Sequence, residues 1–184
     1  MVTLGMDPTR PAILYAGTSG GVYKTVNEGA HWQNVNNGLV PPDIIKSSRA
    51  LNVTSIHVDR FEPDTVYAAT LAGLFKTTDG AKSWTRIAES LDDQMIFSMI
   101  LDRTKKAVIY LAGRDGVHRS TDGGMTWTTL NRGLSSTNVR SIAQSATDPN
   151  LFYAGTNGSG LYRSRDGGET WESMPALSRN AKTS

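Results

Sequence analysis

Apolar and polar residues alternate with a period of two in short runs along this chain, and Pro, Asp and Gly residues separate the runs. Alternation of this kind, in segments rich in β-branched and aromatic residues, predicts β-strands. In the best-defined part of the chain it predicts four strands, at about 53–59, 65–70, 73–78 and 83–88. No segment has a helical period, so the pattern indicates an all-β protein.

The same group of four predicted strands recurs four times, and a tryptophan marks each copy. Each tryptophan closes an eight-residue box that begins with Ser or Thr, such as STDGGMTW at 120–127. Successive tryptophans are 52, 43 and 44 residues apart, a period typical of one four-stranded antiparallel blade of a β-propeller. The sequence therefore predicts a single domain over 1–184 with four blades. Its predicted parts are blades at about 2–37, 52–89, 95–132 and 139–175, an insertion at 37–52 and a tail at 176–184.

The boxes have the composition of tight turns. Side-chain oxygens of Ser, Thr and Asp can accept hydrogen bonds from backbone N–H groups, and Gly adopts positive φ without steric cost. A tryptophan buries ~150–250 Å², so we expect four similar anchors between neighbouring sheets. Asn27 replaces the Asp of the first box, and Gly80 comes one position early in the second. The predicted structural residues are Thr25, Asn27, Gly29, Trp32, Thr77, Asp79, Trp84, Ser120, Asp122, Gly124, Trp127, Ser164, Asp166, Gly168 and Trp171.

Charge and composition narrow the choice of partners. The 184 residues carry 19 basic and 17 acidic side chains, for a net charge of +2, which argues against nucleic acid as a partner. No apolar run approaches the ~20 residues of a membrane-spanning helix, so we expect no membrane insertion. The chain has no cysteine, and its first residues lack the pattern of a signal peptide. These features leave the cellular compartment open.

No residue pattern indicates a metal, a cofactor or a catalytic centre. His31, His57 and His118 lack the spacing of metal ligands, and one carboxylate in each box is too few for calcium. We therefore expect neither a metal nor a cofactor. A column of basic residues precedes the boxes, and we expect their charged heads to stay in water and to discourage pairing between sheet edges, with a binding stripe as the alternative. The column consists of Lys24, Lys76, Arg119 and Arg163.

Blade connectivity predicts where a ligand would bind. The turns between first and second strands and the boxes share one face of a propeller, whereas the turns between second and third strands and the connections between blades share the other. Because loops that vary on a repeated scaffold usually carry function, we predict ligand binding on this second face. The predicted ligand-binding residues are Arg49, Arg114, Asp115, Asn138 and Asn157.

The same face holds the only grouped carboxylates, which are weak catalytic candidates. They are Asp92, Asp93 and Asp115. A glycoside hydrolase needs two carboxyl groups roughly 5–9.5 Å apart, and these could meet that requirement. A solvated turn is the simpler interpretation, so we predict no catalytic residue.

The box resembles the Asp-box, or BNR repeat, of sialidase-like β-propellers. The longer phrase YAGT-x-x-G-V-Y-K-T-x-x-x-G-x-x-W is also similar to photosystem II assembly factor-like, sortilin-type and xyloglucan-hydrolase propellers, over about residues 7–175. The resemblance implies a propeller and favours an exported protein. Sialidases hold their substrate with three arginines, and Arg49, Arg114 and Arg140 could converge in that way, but no local motif carries a catalytic residue over.

Propellers of these groups generally have more than four blades. The chain could be a fragment of a larger propeller, could pair with a second copy as a homodimer that completes a larger ring, or could close alone. The leading functional hypothesis is a non-catalytic module that binds a protein or glycan through its loops. The alternative is a fragment of a xyloglucanase-like or sialidase-like glycoside hydrolase.

Overall fold

The described residues of the protein form four sheets, each with four antiparallel strands. The computed structural model describes residues 3–39, 51–91 and 95–175. In chain order the strands are β1 Thr3–Met6, β2 Leu14–Thr18, β3 Gly21–Thr25, β4 Gln33–Asn34, β5 Val53–Val58, β6 Val66–Thr70, β7 Gly73–Thr77, β8 Thr85–Ile87, β9 Ile96–Leu101, β10 Ile109–Gly113, β11 Gly116–Ser120, β12 Thr128–Thr129, β13 Val139–Gln144, β14 Phe152–Thr156, β15 Leu161–Ser164 and β16 Glu172–Ser173. One short 3-10 helix, Glu89–Leu91, follows β8.

Consecutive strands pair within each sheet, so every sheet is a simple meander and forms one blade. This confirms the predicted all-β propeller architecture with four blades. The strands of the second blade begin and end within two residues of the predicted bounds. In the described ranges, no helix has both the length and the apolar character required to span a lipid bilayer.

Each inner blade buries both of its faces. Successive side chains of a strand point to opposite faces of the sheet. In β6, Ala68 therefore packs with Tyr15 and Val22 of the first blade, whereas Tyr67 and Ala69 pack toward the third blade. All five residues of β6, and likewise of β10, are buried for this reason.

Among the residues that the structure describes, the hydrophobic core is divided into three layers, each lying between two consecutive blades. One layer joins the first blade to the second, one joins the second to the third, and one joins the third to the fourth. The first strands β1, β5, β9 and β13 lie side by side in that order around the axis. Within residues 3–39, 51–91 and 95–175, no layer of buried residues joins the fourth blade to the first. The described blades therefore form an arc with two outer faces.

The expectation of four equivalent tryptophan anchors is wrong. Trp84 and Trp171 are only 4% and 5% exposed, and their indole N–H groups donate to backbone carbonyls of the preceding blade at 2.7 and 2.8 Å. Trp127 donates instead to Gly124 in its own box, at 3.1 Å. Trp32 is 41% exposed, because the described chain has no blade before the first. A box tryptophan is an anchor only where a preceding blade receives it.

Two glycines let the connections between blades approach the next tryptophan. Gly38 and Gly133 have φ values of 80° and 95°. A Cβ atom on them would lie 2.2 and 2.0 Å from the carbonyl oxygens of Trp84 and Trp171. The neighbouring carbonyl of Arg132 accepts a hydrogen bond from the Trp171 N–H at 2.8 Å. These connections fix the first blade to the second, and the third to the fourth.

Replacing Gly133 with alanine tests this connection, with Gly158→Ala as the matched control. Gly158 has a similar φ of 92°, but no atom lies within 4 Å of its would-be Cβ. Both variants place alanine in the left-handed region, which costs about 1–2 kcal/mol of stability. Gly133→Ala adds a clash with Trp171, so its free energy of unfolding in urea should fall by about 1–3 kcal/mol more than that of the control. Equal losses would contradict the proposed close approach.

Candidate functional site

The four boxes form turns held by their own polar side chains. In the third box the Ser120 hydroxyl donates to Asp122 Oδ1 at 2.7 Å and accepts from the Gly124 N–H at 2.8 Å. The same Asp122 oxygen accepts from the N–H groups of Met125 and Thr126, both at 2.9 Å. The carboxylate therefore satisfies backbone donors that the tight turn would otherwise leave unpaired.

The other three boxes repeat this arrangement. Ser164 donates to Asp166 at 2.7 Å, and Thr77 donates to Asp79 at 2.6 Å. In the first box the amide oxygen of Asn27 takes the place of the carboxylate and accepts from Thr25 at 2.8 Å. Asparagine provides the same acceptor without a charge, so the turn survives the departure from the sequence pattern.

These hydrogen bonds favour the charged form of the box carboxylates. A hydrogen bond from the Thr126 side chain contributes most to holding the pKa of Asp122 well below its ordinary value. The Ser83 side chain does the same for the pKa of Asp79. Burial alone would raise the pKa of Asp166, but hydrogen bonds from Thr170 and other turn groups lower it overall. Because hydrogen bonds within the turns occupy these carboxylates and keep them charged, they are poorly suited to catalysis.

Backbone hydrogen bonds separate the turns into two faces, as the connectivity predicts. On the first face the Gly80 N–H of the second box donates to Asp64, in the turn between β5 and β6, at 2.9 Å. On the second face the Asn157 N–H, in the turn between β14 and β15, donates to Asn138, just before β13, at 2.8 Å. We name the first the box face and the second the loop face.

Those predicted ligand-binding residues that the structure describes lie on the loop face. Arg114 and Asp115 are exposed in the turn between β10 and β11, and Asn157 is exposed in the corresponding turn of the fourth blade. Asn138 is half-buried, and its side-chain oxygen is buried without a hydrogen-bond partner. Arg49, Asp92 and Asp93 lie outside the described residues. A ligand site at these positions stays a prediction.

Arg140, the third of the arginines that could converge as those of a sialidase do, lies on β13. Its guanidinium group stacks on the Phe97 ring of β9, 4.1 Å from the ring centroid. This contact joins the first strands of the third and fourth blades.

A cleft of about 460 Å³ opens among the first strands, at the opposite end from the loop face. Its lining comes from the last residues of β5, β9 and β13 and from the turns that follow β1, β5 and β9. The apolar lining includes Val58, Ile100 and Ile142, and the polar lining includes His57, Arg60, Asp102, Arg103 and Gln144. We name it the axial cleft.

The one carboxylate that lines the described axial cleft is committed to a turn. Asp102 is buried, and its Oδ1 accepts from the N–H groups of Thr104 and Lys105 at 2.8 and 2.9 Å. Its Oδ2 accepts from Gln144 of the fourth blade at 3.1 Å. Asp102 therefore shapes the wall of the cleft and links two blades.

Asp102 belongs to a second set of turn-capping carboxylates, which the sequence analysis did not predict. Asp7 and Asp59 cap the corresponding turns of the first two blades, accepting from Thr9 at 2.9 Å and from Phe61 at 2.8 Å. The signal was present in the sequence, since Asp7, Asp59 and Asp102 directly follow the apolar residues of the first strands β1, β5 and β9. Ser145 takes this role in the fourth blade and accepts from Thr147 at 3.2 Å.

Two arginines lie at the rim of the axial cleft. The Arg60 guanidinium donates to the Arg103 carbonyl at 2.7 Å, and the Arg103 N–H donates to Gln144 Oε1 at 2.9 Å. His57 lies on the cleft wall with Nε2 3.2 Å from the Ser55 hydroxyl, and burial lowers its pKa. The cleft therefore combines aliphatic walls, a histidine whose neutral form is favoured and a cationic rim. No three His, Asp or Glu side chains of the described ranges converge as metal ligands would.

No family model and no curated protein matches the sequence. Solved structures do match it. An ancestral GH74 enzyme is 24% identical with a TM-score of 0.78, over 95% of this chain and 24% of its own. The GH74 xyloglucanase from Xanthomonas campestris is 16% identical with a TM-score of 0.70, over 97% and 30% of the two chains. YCF48 bound to a D1 peptide is 16% identical with a TM-score of 0.65, over 93% and 53%.

These similarities establish the propeller fold. They also show that the chain spans only 24% to 53% of the length of these three proteins. The four blades correspond to part of each larger structure.

The box turns predict a specific acid sensitivity. Folding lowers the pKa of Asp122 below the value of 3.8 typical of an aspartate. Its stabilising effect is therefore complete above that pH and is lost as the pH falls through the folded-state pKa. Asp122→Asn keeps the acceptor oxygen without titrating, so the stability difference between wild type and variant should shrink as urea unfolding is followed from pH 6 down to about pH 2.

The reciprocal variant, Asn27→Asp, is the matched comparison. It introduces a titrating acceptor at the first box, so its stability should fall more steeply with acid than that of the wild type. Parallel pH profiles for all three proteins would contradict the assigned role of the box carboxylates.

Proposed function

We propose that this chain is a non-catalytic module of Asp-box, or BNR-type, repeats that binds a protein segment in its axial cleft. The observation that carries the proposal is the composition of that cleft, with aliphatic walls, two arginines at the rim and one carboxylate already committed to a turn. Concave sites with mostly apolar walls and a few placed polar groups are typical of ligand binding.

The cleft chemistry argues against hydrolysis at this position. A glycoside hydrolase uses two carboxyl groups, one as acid and the other as base or nucleophile. Within the described residues the axial cleft offers Asp102 alone, and hydrogen bonds from Thr104, Lys105 and Gln144 occupy both of its oxygens. The described cleft therefore offers no second carboxylate that could act with Asp102 as the acid or base of hydrolysis.

The same chemistry favours a peptide over a glycan. Sugar rings are commonly recognised by stacking on flat aromatic rings, and no Phe, Tyr or Trp side chain lines the described cleft. Aliphatic walls suit the side chains of an extended peptide, and arginine forms strong charge-assisted hydrogen bonds with carboxylates. The ligand chemistry that fits is a protein segment with an acidic side chain or a terminal carboxylate. Similarity to YCF48 bound to a D1 peptide supports this class of ligand.

The second candidate function is part of a glycoside hydrolase. Similarity to GH74 enzymes favours it, and the chain covers only 24% and 30% of two of them. In that case the catalytic carboxyl groups would belong to further blades or to the loop face, where Asp115 is exposed. The compartment would then be extracytoplasmic, as the family resemblance suggests.

Peptide selection with matched arginine variants tests the proposal. The complete 184-residue chain is immobilised and used to select binders from a phage library of random dodecapeptides. Selected peptides should be enriched in Asp and Glu. Arg103→Ala should weaken their binding about tenfold or more, because a charge-assisted hydrogen bond contributes ~1.5–3 kcal/mol. Dissociation constants are measured by calorimetry.

Two further arginine variants locate the site. Arg165→Ala removes an exposed cation from the fourth box, outside the axial cleft, and should leave binding unchanged. Arg114→Ala tests the loop face. Loss of binding with Arg114→Ala alone would move the site to the loop face, and xyloglucan hydrolysis by the purified chain would favour the hydrolase instead.

A further inference from the structure

Two members of the basic column connect their blade to the box of the next blade, Lys24 in the first blade and Arg119 in the third. In the first blade, the Lys24 ammonium group lies 5.3 Å from the centroid of the Tyr15 ring. It also donates to the carbonyl of Gly80, in the second box, at 2.8 Å. Lys76 lies over Tyr67 in the same way, at 5.4 Å. The expectation that the charged head stays in water is therefore wrong for Lys24, while protection of sheet edges by this column stays a prediction.

The third blade uses the same positions for the same purpose. The Arg119 guanidinium pairs with the Glu169 carboxylate of the fourth box at 2.7 Å. The Tyr110 hydroxyl donates to the Gly167 carbonyl of that box at 3.3 Å. A tyrosine and a cation on one blade thus bind the box of the blade that follows.

The fourth blade carries this pair without a box to receive it in the described chain. Tyr153 is half-buried, whereas Tyr15, Tyr67 and Tyr110 are buried. The Arg163 guanidinium pairs with the carboxylate of Glu172 in its own blade, with Nη2 2.8 Å from Oε1. We name this surface, made of Tyr153, Leu161 and Arg163, the tail face.

The first blade carries the complementary half. Leu4 is 66% exposed, although Ile56 at the same strand position of the second blade is only 1% exposed, since it packs on the preceding blade. Trp32 is exposed on the same blade. We name the surface made of Leu4, Glu28 and Trp32 the head face.

Glu28 distinguishes the first box. It occupies the position that Gly80, Gly123 and Gly167 hold in the other boxes. Its φ is 59°, in the left-handed region, and the other non-glycine residues of the described chain with positive φ are three alanines. Positive φ is costly for a long side chain, so the box keeps an exposed carboxylate at a position where glycine would fit with less strain.

We propose that the tail face of one copy of this chain binds the head face of a second copy. Tyr153 and Arg163 then take toward the second copy's first box the place that Tyr110 and Arg119 take toward the fourth box. Glu28, the fourth residue of its box, supplies the carboxylate for Arg163, whereas Glu169, which pairs with Arg119, is the sixth residue of its box. The contact covers Leu4 and Trp32, whose exposure leaves an apolar surface in water.

The second copy fits because the two faces are complementary and not identical. Head-to-tail contacts close into a ring when the rotation allows it and otherwise continue as an open assembly. Two copies joined twice in this way would place eight blades around one axis. The contact involves neither the axial cleft nor the loop face, so it is independent of the peptide-binding proposal.

Charge reversal tests the contact directly. The molar mass of the complete chain is followed by sedimentation velocity from about 0.1 to 100 μM, a range that spans ordinary protein association constants. The wild type should associate with increasing concentration. Arg163→Glu and Glu28→Arg should each weaken association about tenfold or more, and the double variant should restore it, because the reversed charges again attract.

Two controls separate the contact from a folding defect. Lys105→Glu changes an exposed charge in the turn that follows β9, away from both faces, and should leave association unchanged. Glu28→Gly relieves the backbone strain, so it should raise the melting temperature of the dilute monomer and yet weaken association. A wild type that stays monomeric throughout the range would overturn the proposal, as would association that neither single reversal weakens.

Discussion

The structure depends on the contact between one blade and the next. A single blade has two apolar faces and no interior of its own, so it becomes stable only when neighbouring sheets cover it. This is why the hydrophobic core lies in layers between blades. Polar groups then fix the alignment of each layer. The indole of Trp84 or Trp171 reaches back to a carbonyl of the preceding blade, while Lys24 or Arg119 reaches forward to the following box.

The axial cleft is a consequence of the same stacking. Its walls come from three first strands that are more than forty residues apart in sequence and adjacent only because the blades pack in order. The turn-capping aspartates set where each first strand ends, and Gln144 extends one of these caps across the boundary between two blades. The residues that shape the cleft are thus part of the framework, which leaves the rim arginines and aliphatic walls as its binding chemistry.

Much of the fold is predictable because it is local. Period-two alternation gives the strands, and the box residues give the turns, so the all-β architecture with four blades follows from sequence alone. The burial and the contacts of an individual side chain, in contrast, depend on residues that are distant in sequence. Trp32 and Trp84 occupy the same position of the repeat and differ in exposure because only one has a preceding blade. The axial cleft, the capping role of Asp102 and the forward contact of Lys24 all depend on neighbours that the sequence does not place.

The most direct test of the account is the quenching of single-tryptophan variants by iodide. Four proteins are made, each keeping one tryptophan and carrying phenylalanine at the other three positions. If blade contacts determine burial, the fluorescence of Trp84 and Trp171 should resist iodide at every protein concentration. Trp32 should be quenched in dilute solution, where its side chain is exposed. Equal protection of Trp32 and Trp84 in the monomer would contradict the account, because it would mean that the first and fourth blades already cover each other.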